Sequence, residues 1–116
     1  MTQVTIDYRF TSLNDYIKAE RTTRFAAAEI KKRETEIARL SALNIQPVRA
    51  YPVDITCMWF RKDHRTDPDN IEFSIKFILD GFVKACLLKS DGWKFISSIK
   101  HEFELASYDY VIVDIT

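Results

Sequence analysis

Val4, Ile6 and Tyr8 alternate with Thr5, Asp7 and Arg9 at the start of the chain. A period of two puts alternate side chains on one side of an extended segment and predicts a first strand. Ser12 and Asp15 follow at the spacing of a capping box in its acidic form, and a helical period runs from about Leu13 to about Leu43. Ala26 to Ala28, Ile30, Ile37 and Leu40 give that helix only a thin apolar face, so part of it is expected to lie along a partner or in solvent.

Pro47 and Pro52 mark a break. Val53, Ile55, Cys57 and Trp59 then alternate with Asp54, Thr56, Met58 and Phe60, and the apolar residues on both faces of the second half predict a central strand covered on both sides. Ile71, Ile75, Ile78, Phe82 and Cys86 form a core stripe on a second helix from about Asp69 to about Cys86, with Asp69 and Lys76 aligned on its other face. Phe95 to Glu104 and Tyr108 to Ile115 read as two strands joined by a tight connection, an expected antiparallel hairpin. The order β-α-β-α-β-β predicts a two-layer α/β (α+β) fold with a mixed four-stranded sheet and two helices.

With 116 residues, 47% of them hydrophobic, the chain has material for one core and is read as a single domain, 1–116. Seventeen basic residues balance seventeen acidic ones, so attraction to nucleic acid must come from uneven distribution. The charges are indeed uneven: Lys18, Arg21, Arg24, Lys31, Lys32 and Arg33 face only Glu20 and Glu29, while the stretch from His101 to Thr116 has no Lys or Arg. Cys57 and Cys86 are too few for a zinc cluster or disulfide framework and are expected to be buried thiols. The alternation near the start does not resemble a signal peptide, and no stretch has the roughly 20 apolar residues of a membrane span, so a cytoplasmic protein is expected.

Against this background Asp67, Asp69, Asn70, Lys76, Asp80 and Asp91 gather unusual chemistry within 25 residues. Taken singly they have structural readings: Asp67 before Pro68 caps a helix, Asp69 complements its dipole, Lys76 and Asp80 form an i,i+4 pair, and Asp91-Gly92 makes a turn. Taken together, the carboxylates can hold Mg²⁺ and a neighbouring lysine can offset charge developing on phosphorus.

The segment from Asp67 to Lys94 resembles the RusA-type family of Holliday-junction resolvases, which phages and prophages carry. The family pattern has two aspartates one residue apart, then Asn, a helix with Lys-x-x-x-Asp, and an Asp-Asp pair after the helix; here those positions read Asp67, Asp69, Asn70, Lys76, Asp80 and Asp91. Ser12, Leu13, Asn14 and the basic helix extend the similarity over most of the chain. There are two departures. The family places its Lys three residues after Asn whereas Lys76 comes six after Asn70, and Ser90 takes the first place of the Asp-Asp pair. A regular helix from Asp69 to Cys86 would run roughly 26 Å, while the five residues onward to Asp91 reach at most about 17 Å. Asp91 would then meet Lys76 or Asp80 easily but Asp69 only with difficulty, so either the helix starts late or irregularly, which is the expectation, or the site is completed differently.

The resemblance implies a Mg²⁺-dependent endonuclease, with Mn²⁺ able to substitute, that resolves four-way DNA junctions in a bacterial host's cytoplasm. Asp67, Asp69 and Asp91 would bind the metal, Lys76 would stabilise the transition state or position the water, and Asp80 and Asn70 would support them. A junction's approximate two-fold symmetry suits a homodimer making paired nicks. Lys18, Arg21, Arg24, Lys62 and Arg65 are the expected phosphate contacts, which set position rather than sequence. Trp59, Trp93 and Phe95 could stack on unpaired bases, although aromatic residues in strands are more often core. The alternative is a non-catalytic DNA-binding or assembly subunit whose aspartates are helix caps. A restriction-enzyme-type site fails because Trp93, not lysine, follows Asp91 at the required spacing.

Overall fold

The computed structural model describes residues 1–116. The chain runs β1 (Thr2–Ile6), α1 (Leu13–Thr22), α2 (Arg24–Ala42), β2 (Val53–Arg61), α3 (Pro68–Glu72), α4 (Ile75–Lys84), β3 (Ile96–Leu105) and β4 (Tyr110–Ile115). The four strands form one mixed sheet in the order β1-β4-β2-β3, giving the expected two-layer α+β fold. One sheet face is apolar and buried: Val4 and Ile6 from β1, Val53, Ile55, Cys57 and Trp59 from β2, and Val111, Val113 and Ile115 from β4. Ala38 and Ala42 of α2 and Ile78 and Phe82 of α4 complete the same core.

Both long helical stretches are interrupted. Thr23 ends α1 in an extended conformation (φ −153°, ψ 153°), and its hydroxyl accepts the Ala26 N–H to cap α2, so the expected Leu13–Leu43 helix is broken in two. The second break falls at Phe73 and Ser74, where the Ser74 hydroxyl turns away to donate to the Thr11 carbonyl at 2.5 Å. The start is irregular, as expected, but the ground for that expectation fails, since Asp91 lines a cleft with Asp80 and does not meet Asp69. The break also separates Asp69, on α3, from Lys76, on α4, so the two do not share one helical face. The predicted apolar stripes shift accordingly: Leu40 is exposed and Cys86 is exposed, whereas Phe77 and Leu79 are buried.

The strands differ from expectation in one respect. β3 and β4 are not hydrogen-bonded neighbours, because β2 lies between them, parallel to β3 and antiparallel to β4. Parallel pairing needs a long crossover, which α3 and α4 provide. The short connection from β3 to β4 instead straddles the end of β2: Ala106 N–H donates to the Arg61 carbonyl, and the Asp109 carboxylate accepts the Lys62 N–H at 2.9 Å. Arg61 Nε, nearly buried, lies 3.7 Å from that same carboxylate. β2 is central, as expected, but only one of its faces is covered; Thr56, Met58 and Phe60 are half-buried on the other. No helix is long and apolar enough to cross a membrane.

Candidate functional site

Asp67 precedes α3 at its N-cap with Pro68 at the first helical position, yet its carboxylate makes no capping hydrogen bond. Backbone bonds from the Asn70 and Ile71 N–H groups to the Asp67 carbonyl turn the chain there. Asp69 is exposed, and its carboxylate accepts only a long 3.5 Å bond from the Asn70 amide. Neither carboxylate has an ion-pair partner, and both are exposed with most of their acceptor capacity free.

Asp67 opens onto a cleft of about 360 Å³ between the end of β2, α3 and the end of β3, shared with Arg61, His64, Ile71 and Phe103. Burial and the nearby Arg9 push the Arg61 guanidinium below its ordinary value, and Asp109 and Asp63 oppose that shift. Asp63 is held below the usual carboxylate range, chiefly by the Arg65 N–H that it accepts at 3.0 Å. Lys62 and Arg65 are exposed beside this cleft, and of their side chains only that of Arg65 is in an ion pair, with Asp63 at 4.0 Å.

Asp80 and Asp91 lie elsewhere. They line a second cleft of about 650 Å³ between α2 and α4, with Lys31, Lys32 and Lys84. Lys76 is exposed and its Nζ lies 3.4 Å from Asp80, the i,i+4 pair that the spacing predicted. Glu36, also at this cleft, is engaged by Arg39 at 2.6 Å and 2.7 Å. The Thr35 hydroxyl beneath is buried without a hydrogen-bond partner. Lys31, Lys32 and Lys84 have no ion pair; Lys84 was not anticipated, although it stands four residues after Asp80 and so on the same helical face.

The six acid, amide and lysine positions thus divide into two groups, Asp67, Asp69 and Asn70 on α3 and Lys76, Asp80 and Asp91 by α4. Within one chain no three His, Cys, Asp or Glu side chains converge as a metal-binding group. No family model and no curated protein matches this chain. The position three after Asn70, where the RusA-type pattern has its lysine, is Phe73, packed against Tyr16 (ring centroids 5.2 Å) and Phe77 (5.5 Å). Of the expected phosphate contacts, Lys18, Arg21 and Arg24 are exposed and unpaired around the α1–α2 bend, on elements distinct from Lys62 and Arg65.

Proposed function

We propose that this chain is a Mg²⁺-dependent, structure-selective endodeoxyribonuclease of the RusA type, acting as a homodimer on four-way DNA junctions. The observation that carries this reading is the free carboxylate of Asp67 at a helix start where a capping bond would be its structural purpose. Paired with the equally free Asp69, it fits the usual Mg²⁺ set of one or two carboxylates, with water and phosphate filling the other positions. A Mg²⁺ held there would lower the pKa of a bound water and so supply hydroxide as the nucleophile for phosphorus. Lys62 and Arg65, beside the same cleft, hold backbone phosphates, and the α1–α2 cations extend that contact to a second duplex arm. Because Asp91 opens on the other cleft, its part as a third carboxylate requires a second protomer to bring it across. A two-fold dimer suits both that need and the substrate.

The second reading, a branched-DNA-binding or assembly subunit without catalysis, is favoured by Phe73 in the lysine's place and by the pairing of Lys76 with Asp80. One preparation separates the two. The nuclease cleaves a synthetic four-way junction in Mg²⁺ or Mn²⁺, faster than linear duplex of the same sequence, and Asp69→Asn abolishes cleavage while leaving binding intact. Tight junction binding with no cleavage in either metal selects the second reading. Cleavage by Asp69→Asn at the unmodified rate removes the metal assignment.

A further inference from the structure

β3 is a ten-residue strand at the edge of the sheet, and only the short α3 approaches it, at the cleft that Ile71 shares with Phe103 and Leu105. Natural sheets normally shorten, bulge, cover or charge such an edge, because its unpaired N–H and C=O groups template another strand; β3 carries Lys100, Glu102 and Glu104 but keeps its full length. The direction of these groups follows from the pairing to β2. Ala106 N–H donates to Arg61, the partner of Leu105, so beyond the irregularity near Val53 the even-numbered residues of β3 bond inward to β2. Ile99, His101, Phe103 and Leu105 therefore turn their backbone groups outward. Their side chains lie on the helix side of the sheet, as Cys57 opposite His101 and the Trp59 Nε1–H donated to His101 Nδ1 at 2.9 Å require. Ile99 and Leu105 are left open there, at 43% and 56% exposure, while His101 is half-buried.

We propose that this edge pairs with the same edge of a second copy, antiparallel about a two-fold axis at His101. A two-fold axis perpendicular to the sheet pairs residues whose numbers share parity, so the registers that pair most of the strand centre on residues 99 to 102; centring on Ile99 sets Lys100 against the partner's Ser98 and leaves Lys100 and Glu102 without opposite charges across the axis. Centring on Lys100 opposes two lysines, and centring on Glu102 opposes two glutamates; like charges directly opposite are destabilising. Centring on His101 sets Lys100 against the partner's Glu102 twice and Ile99 against the partner's Phe103 twice. It also makes His101 a hydrogen-bonded pair, as its outward backbone groups demand. Lys100 and Glu102 already meet within the strand at 3.0 Å, so both are directed to the same side. Self-complementarity of charge, apolar cover and hydrogen-bond phase selects a second copy of this chain over an unrelated strand.

This surface rests on the homodimer of the proposed function, and sedimentation of the full chain tests it separately. The unmodified protein sediments as a dimer. Lys100→Glu and Glu102→Lys each weaken the dimer at least tenfold, by opposing like charges twice, and the double variant K100E/E102K restores it. In a Cys86→Ser background, mild oxidation links His101→Cys into a covalent dimer, since paired Cα atoms lie about 5.5 Å apart, and leaves Leu105→Cys unlinked. A monomer at all concentrations, dimers indifferent to both single reversals, or linkage at Leu105→Cys overturns the proposal. Dimers that withstand both reversals and still cleave junctions remove this surface and keep the nuclease. Dimers that respond as described but never cleave keep the surface and remove the nuclease.

Discussion

Glu34 is fully buried on α2 and accepts from the Tyr8 hydroxyl at 3.0 Å, the Thr11 N–H at 2.9 Å and the Thr11 hydroxyl. It ties the loop after β1 to the long helix, and burial together with this anion raises the Tyr8 phenol above its ordinary value, against the opposing bond from Arg33. Glu34→Ala leaves these donors unpaired and should cost about 2 to 4 kcal/mol in urea unfolding. Nothing in the sequence marked Glu34: it stands in a charged run, where a solvated helix position was the natural reading. His101 is a second residue with a measurable signature. Desolvation holds its pKa below the ordinary 6.5, partly offset by Glu72, and a ring accepting the Trp59 N–H at Nδ1 must be neutral there. An unfolded chain then binds more protons just below pH 6.5 than the folded one. Stability from this group is complete above about pH 6.5 and declines as pH falls below it. Urea midpoints at pH 7.5 and 5.5 should differ less in His101→Asn than in the unmodified protein. Cys57 shows the same desolvation more strongly, its thiol pushed up to about 12.

At the scale of elements, α2 and α4 approach so closely at Gly81 that an added Cβ would lie 2.5 Å from both Ala38 Cβ and the Thr35 carbonyl. Gly81→Ala should therefore destabilise by about 1 to 3 kcal/mol, despite alanine's better helix propensity, as a thermal melt would show. The end of α4 offers the opposite case. Cys86 adopts a left-handed conformation (φ 62°), with its N–H bonded to Val83 and the Leu87 N–H to Phe82, the pattern of a Schellman cap. Cys86→Gly relieves the Cβ strain there and should raise stability by about 0.5 to 1 kcal/mol in the same melt. Element types were legible because β1, β2 and α4 carry clear periods; the irregular start of the second helix was expected from a meeting of Asp69 with Asp91 that does not occur, and the break falls instead where Ser74 bonds back to Thr11. The Thr23 break was missed although Thr22-Thr23 is a hydroxyl pair suited to a cap. Strand adjacency was not legible at all: β3 and β4 show the same alternation whether they pair with each other or flank β2.

For the whole molecule, the candidate chemistry was legible as residue types and not as a place, because the pattern from Asp67 to Asp91 says nothing of the two clefts between which the fold divides it. If junction binding works through Lys18, Arg21, Arg24, Lys62 and Arg65, its affinity should fall steeply with added salt. Neutralising Lys62 and Arg65 together should flatten the slope of log affinity against log salt by about 2. The position of β4 sets another property of the entire chain. Residues 110–115 lie between β1 and β2, pairing Thr2 with Ile115 and Ile55 with the same residue. Everything synthesised up to Asp109 therefore lacks the strand that joins the first to the rest, and a nascent polypeptide of that length exposes two apolar ribbons with no mate. Refolding of the chain should be slow for its size, because the decisive contacts span nearly all of it, and stopped-flow fluorescence would measure this.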